Sequence, residues 1–138
     1  MFEKKTLRVR VAAAALMVPF LVLAVAELAR TQAGPDRRFL IQQDLAIPGY
    51  EVVLTEASLA VGQREGRHTH PGTLVGRIYE GELTLEREGQ PTIVLKPGDS
   101  ILIEPGQVHE GINTGSVTMK ALAFFVVEKG KPLSTEAQ

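Results

Sequence analysis

This 138-residue chain predicts an all-β domain preceded by an N-terminal hydrophobic helix. Three observations carry that expectation. Beyond Arg38 the chain breaks into short runs rich in Val, Ile, Leu and Thr. Gly, Pro and Asp punctuate those runs at PG, EGQP, KPGD, EPG and NTG, a turn rhythm of roughly ten residues that suits a sandwich or small barrel. The long uncharged apolar stretch, Val11 to Ala26, lies near the start and is preceded by four basic residues.

The elements come in this order. Lys4, Lys5, Arg8 and Arg10 precede VAAAALMVPFLVLAVA, and Ala24-Val25-Ala26 offers small residues for cleavage, so residues 1–30 read as a signal peptide or membrane anchor. The uncharged run is short against the ~20 residues of a membrane span, though residues 11–29 extend it as an anchor. Basic residues hold that end in the cytoplasm, so the chain beyond Arg30 is expected to be exported, periplasmic or extracellular. TQAGPDRR, residues 31–38, reads as a polar linker, and residues 39–130 as the β-domain. Its candidate strands are RFLIQQDL, EVVLTEASLAV, LVGRIYEG, ELTLERE, PTIVLKPG, DSILIEPG and VTMKALAFFVVE. In ELTLERE, Leu83 and Leu85 face one way and Glu82, Thr84 and Glu86 the other. No stretch after Arg38 holds a helical period. Residues 131–138 form a polar tail expected to fray.

Composition removes whole classes of function. With no cysteine there is no disulfide, no zinc–thiolate site and no cysteine nucleophile. Residues 30–138 carry 11 Lys and Arg against 14 Asp and Glu, which gives no reason to expect a nucleic-acid partner. Membrane contact is expected only through the N-terminal segment.

The chemistry lies in RHTHPGTLVGRIYEG, Arg67 to Gly81. On a strand His68 and His70 share a face, about 6.6 Å apart along the chain, close enough for two imidazoles to converge on one divalent ion. A second block, GDSILIEPGQVHEGIN, runs from Gly98 to Asn113 and carries the remaining histidine, His109. Together the blocks resemble the two motifs of the cupin superfamily. Gly62, His68, His70 and Gly81 fall on positions of the first motif. Gly98, Gly106, His109 and Asn113 fall on positions of the second, with Glu104 where the motif has proline and Pro105 in the next slot.

The resemblance implies a small single-domain cupin: a jelly-roll barrel in which His109 meets His68 and His70 around a divalent metal ion (Fe, Mn, Zn or Ni). It also implies a carboxylate ligand at Leu74, with Val75 no better. Leucine cannot coordinate, so the expected set is three histidines with open positions. Among the nearby polar residues, Glu110 should point to the opposite face and Glu80 into solvent, while Gln63 or Glu65 is able to reach inward. Arg77 and Tyr79 are candidates for anion binding and acid–base work, on a face shared with Val75. Three neutral imidazoles leave the ion its full charge and favour an anionic or chelating ligand. Some cupin-fold iron dioxygenases use three histidines. The functional expectation is therefore an exported metal-dependent dioxygenase-type oxidoreductase of a small organic substrate. The alternatives are a non-catalytic small-molecule-binding module, with or without metal, and an interaction protein fixed at the membrane. The resemblance further implies a homodimer, paired through the sheet edge that RFLIQQDL supplies.

Overall fold

A computed structural model describes residues 34–138 of the chain. The expected hydrophobic helix, and with it the signal or anchor, lies outside the described residues. What is described is all-β and contains no helix.

Ten strands form two five-stranded antiparallel sheets, the jelly-roll arrangement. The strands are β1 (Asp36–Asp44), β2 (Tyr50–Leu59), β3 (His68–Thr69), β4 (Thr73–Glu80), β5 (Leu83–Arg87), β6 (Ile93–Leu95), β7 (Ser100–Ile103), β8 (His109–Ile112), β9 (Met119–Glu128) and β10 (Thr135–Glu136). One sheet runs β1-β2-β9-β4-β7 and the other β10-β3-β8-β5-β6. Alternation decides which side chains face the space between them. In β2, Val53, Thr55, Ala57 and Leu59 are buried while their neighbours turn outward. Leu83 and Leu85 of β5 are buried as their pattern requires, and pack with Leu59, Ile78, Leu95, Ile103, Met119 and Ala121. A second cluster, Val53, Phe125 and Val127, lies next to the histidines. Each such side chain contributes about 1.5–3 kcal/mol on burial, so the barrel holds together on apolar packing.

Both ends of the domain differ from expectation. β1 starts at Asp36, inside the stretch read as a linker, because Asp36, Arg37 and Arg38 pair with Ser58, Ala57 and Glu56, and Arg38 bonds Glu56 at 3.0 Å. The tail does not fray. Thr135 and Glu136 pair with Thr69 and His68, and Leu133 packs against the Phe125 cluster. One apolar residue and a two-residue pairing outweigh a polar composition.

Candidate metal centre

The two motif blocks are joined through their backbones. The Gly62 amide donates to the Asn113 carbonyl at 2.9 Å, Asn113 N–H returns a bond to Gln63 at 3.0 Å, and Gly106 N–H donates to the His70 carbonyl at 2.9 Å. Asn113 itself is fully buried. Its amide donates to the carbonyls of Leu59 and Val117 at 2.8 and 2.9 Å, and its oxygen accepts from Gly115 N–H at 3.0 Å. At Gly81 (φ 70°) a Cβ would sit 2.8 Å from the Met119 Cα, so only glycine lets β4 and β9 approach there.

His68 on β3 is the direct cross-strand partner of His109 on β8. His109 therefore reaches His68 sideways within one sheet, rather than across the barrel from a facing strand pair. His70, two residues on, projects to the same side. The three ring centroids lie 4.8 Å (His68–His70), 4.3 Å (His68–His109) and 4.9 Å (His70–His109) apart. All three rings are buried, and one ligand atom from each lies within 4.8 Å of the others.

Hydrogen bonding fixes the tautomers. His68 Nδ1 faces the Gly66 carbonyl at 2.8 Å, His70 Nδ1 the Leu133 carbonyl at 2.6 Å and His109 Nδ1 the Gln107 carbonyl at 2.9 Å. A carbonyl can only accept, so each Nδ1 carries a proton and donates it, which turns each Nε2 to the ligand side. Burial works in the same direction, pushing His70 down to about 3 and His109 down to about 4 and keeping both imidazoles neutral. Three imidazole nitrogens held this way fit a divalent first-row ion. The cluster is able to hold a metal.

No carboxylate belongs to the cluster among the described residues. Leu74 on β4 pairs with Ile103 and Phe125, packs against both apolar clusters and lines, with His109, a cavity of about 60 Å³ between the sheets. Gln63 is engaged elsewhere: its Nε2 donates to the Gly34 carbonyl and its Oε1 accepts from Ala60 N–H, each at 2.8 Å. Glu65 is the inward carboxylate. Its Oε2 accepts from Gly111 N–H at 3.1 Å, and a Cβ at Gly111 would lie 2.5 Å from that oxygen, so glycine there makes room for it. Glu110 points away and is gripped by Arg64 at 2.6 and 2.8 Å, which holds its carboxyl below the usual range. Glu80 pairs with Lys120 on the surface at 2.7 Å.

Arg77 and Tyr79 lie on the outer face. Arg77 bonds Ser100 at 3.2 Å, and Tyr79 donates to Glu56 at 2.6 Å, a bond that pushes its phenol up to about 12. Neither reaches the histidines. The inward arginines are others. Arg37 pairs with the buried Ala57 and so faces into the barrel, its guanidinium 5.9 Å from the centre of the Phe125 ring, whose edge meets His70. Arg87 is the cross-strand partner of His109. Sequence reasoning misses both. Arg37 falls in a stretch that reads as linker, whereas the Leu83, Leu85 alternation, carried one step further, turns Arg87 inward.

Comparison with known proteins agrees with this geometry. Residues 55–132 match the family described as the cupin domain. No protein of curated function matches the chain. Among solved structures, a conserved protein with a double-stranded β-helix domain from Klebsiella pneumoniae is 22% identical, with a TM-score of 0.62 over 75% of this chain and 87% of that one. The DMSP lyase DddQ from Ruegeria pomeroyi is 20% identical, TM-score 0.62, over 75% of this chain and 52% of its own. A recombinant oxalate oxidase in complex with glycolate is 21% identical, TM-score 0.58, over 75% and 55%. At such identities the likeness shows the fold, and the chain spans about half the length of the last two.

Proposed function

This chain belongs to the cupin domain family, and on that premise we propose that it is an exported protein that binds a divalent metal through His68, His70 and His109. We propose further that it acts on a small organic molecule as a dioxygenase-type oxidoreductase. The observation that carries the metal reading is the set of three Nδ1–H···O=C bonds, which turn the other ring nitrogens toward one place. A bound divalent ion supplies Lewis acidity there and, if it is redox-active, reaction with oxygen. The chain's own residues do the rest. The histidines leave positions open to a ligand, the apolar wall of Leu74, Ile78 and Ile103 excludes water on the barrel side, and Glu65 is the carboxylate that lines the same inner cavity as His109. Elemental analysis of protein recovered from its native compartment tests the reading. About one ion per chain is expected in the wild type and most of it lost in each single His→Ala variant; full occupancy in His109→Ala overturns it.

Leu74 favours a second reading, a metal-holding cupin that binds a small molecule without turning it over. Substrate-dependent oxygen uptake by the iron-loaded protein separates the two.

The N-terminal pattern supports export, with residues 1–30 as signal or anchor. Alkaline phosphatase fused after Gln138 should be active, and activity confined to the cytoplasm overturns export. We also propose that two copies pair through the first sheet. An apolar row, Ile41–Leu54–Phe124–Val75–Leu102, crosses all five of its strands in register on the outer face. Four of these residues are well exposed on a face that a second copy would cover. Light scattering should give twice the monomer mass for residues 34–138, and a monomer for Phe124→Lys; a monomeric wild type overturns pairing.

A further inference from the structure

We propose that Arg37 and Arg87 form an anion clamp that selects small carboxylates for the histidine centre, an inference that rests on the metal reading above and narrows its ligand class. The two arginines come from opposite sheets and both face inward. In the second sheet, register aligns His68, His109 and Arg87 in one row across β3, β8 and β5. In the first, Arg37 aligns with Ala57, Ala121 and Ile78 across β1, β2, β9 and β4, all three of which are buried. Directly opposed residues of antiparallel strands share a face, so both guanidiniums lie on the side of the histidines.

Neither guanidinium has an ion-pair partner among the described residues. The neighbouring arginines do: Arg38 with Glu56, Arg64 with Glu110 and Arg67 with Glu88. Arg87 Nε is buried and has no hydrogen-bond partner among the described residues. An orphaned buried N–H is rare in a folded protein, because its hydration is lost without replacement. Arg37 rests over the Phe125 ring, and burial lowers its pKa while Glu65, nearby but not paired with it, pulls the other way. Arg37, Glu65 and His68 line a cavity of about 610 Å³, within the range of small-molecule sites, while Arg87 and His109 line a second one of about 220 Å³.

The charge sign and donor shape identify the ligand class. Three neutral imidazoles contribute no negative charge, and the two arginines add positive charge beside them. A guanidinium presents paired N–H donors in a plane, which match the two oxygens of a carboxylate. A ligand carrying a carboxylate and a second donor atom would satisfy an arginine and an open position at the metal together.

The probe is lactate, with lactamide as its neutral counterpart, titrated calorimetrically into cobalt(II)-loaded and metal-free protein. Charge-assisted hydrogen bonds are strong enough that the wild type should prefer lactate by at least about 10-fold. Arg37→Gln and Arg87→Gln should each lose most of that preference with cobalt content unchanged, and Arg37→Lys should recover part of it. Arg37-dependent preference for lactate in metal-free protein upholds the clamp even where the metal reading fails. Equal binding of lactate and lactamide by the wild type overturns it. So does an undiminished preference in the Arg37→Gln, Arg87→Gln double variant.

Discussion

Replacing Leu74 by glutamate asks whether the site is an opened version of a four-ligand one. In the metal-free protein the change removes a leucine that packs against both apolar clusters, a loss of about 2 kcal/mol. It also puts a carboxyl group between Ile103 and Phe125, its cross-strand partners, where an unsatisfied polar group costs about 1–3 kcal/mol more. The expected destabilisation is about 3–5 kcal/mol, which lowers the melting temperature of a domain this size by roughly 10 °C or more. Metal should reverse it. A carboxylate oxygen coordinates a zinc-like ion at about 2.0–2.2 Å, and binding to the native state alone stabilises by about 4 kcal/mol at a thousandfold excess over Kd. The assay is calorimetric melting of wild type and Leu74→Glu with and without zinc, alongside a zinc titration. Leu74→Glu should melt well below wild type without zinc, gain more from zinc, and bind azide more weakly because an open position is filled. If zinc leaves its deficit unchanged, Leu74 does not face the cluster and the four-ligand comparison is wrong.

Acid should weaken the metal-free fold. His70 and His109 have folded pKa values pushed down to about 3 and about 4 against 6.5, so the unfolded chain binds more protons between those limits. Stability is then full above about pH 6.5 and falls by a few kcal/mol as pH drops towards about 4, at 1.36 kcal/mol per pKa unit; a flat melting temperature over that window in metal-free protein refutes it. Ending the chain after Lys131 removes the Leu133 carbonyl that orients His70, and metal affinity should drop about 10–100-fold, as for other outer partners of ligands. Unchanged zinc affinity in the shortened chain would show that the tail has no part in the site. Asn113→Ala should cost about 2–4 kcal/mol in urea unfolding, since it strips the Leu59 and Val117 carbonyls of their buried donor; a cost under about 1 kcal/mol would mean water replaces the amide.

Much of the fold and site is legible from residue order because it rests on side chains that announce themselves. The eight spaced motif positions locate the histidines, period-two alternation locates β5, and apolar-rich runs between turn signals locate β2 and β9. What escapes is carried by backbone and by position. The carbonyls of Gly66, Gln107 and Leu133, which set all three tautomers, have no sequence signature, since every residue owns one. β3 and β10 are two residues each, too short for a period to show. Arg37 looks like linker because TQAGPDRR has no large apolar residue, and its inward direction follows only from register against Ala57.

The site is therefore closed by the parts of the domain that composition marks as least structured. β1 brings Arg37 from one end and the tail brings Leu133 from the other, and both meet at the cluster of Val53, Phe125 and Val127, whose Phe125 ring lies T-shaped to His70. That arrangement ties ligand chemistry to the folding of the first and last described strands. If the three histidines hold a cation, Arg37 and Arg87, without ion-pair partners among the described residues, add positive charge that Glu65, tied to the Gly111 amide, offsets only in part. At low effective dielectric such an excess is costly, and an entering anion relieves it. The absent carboxylate at Leu74 and the orphaned Arg87 Nε are then two sides of one feature. Where a four-ligand site would carry its own negative charge, the proposed centre would leave that charge to be supplied by what it binds.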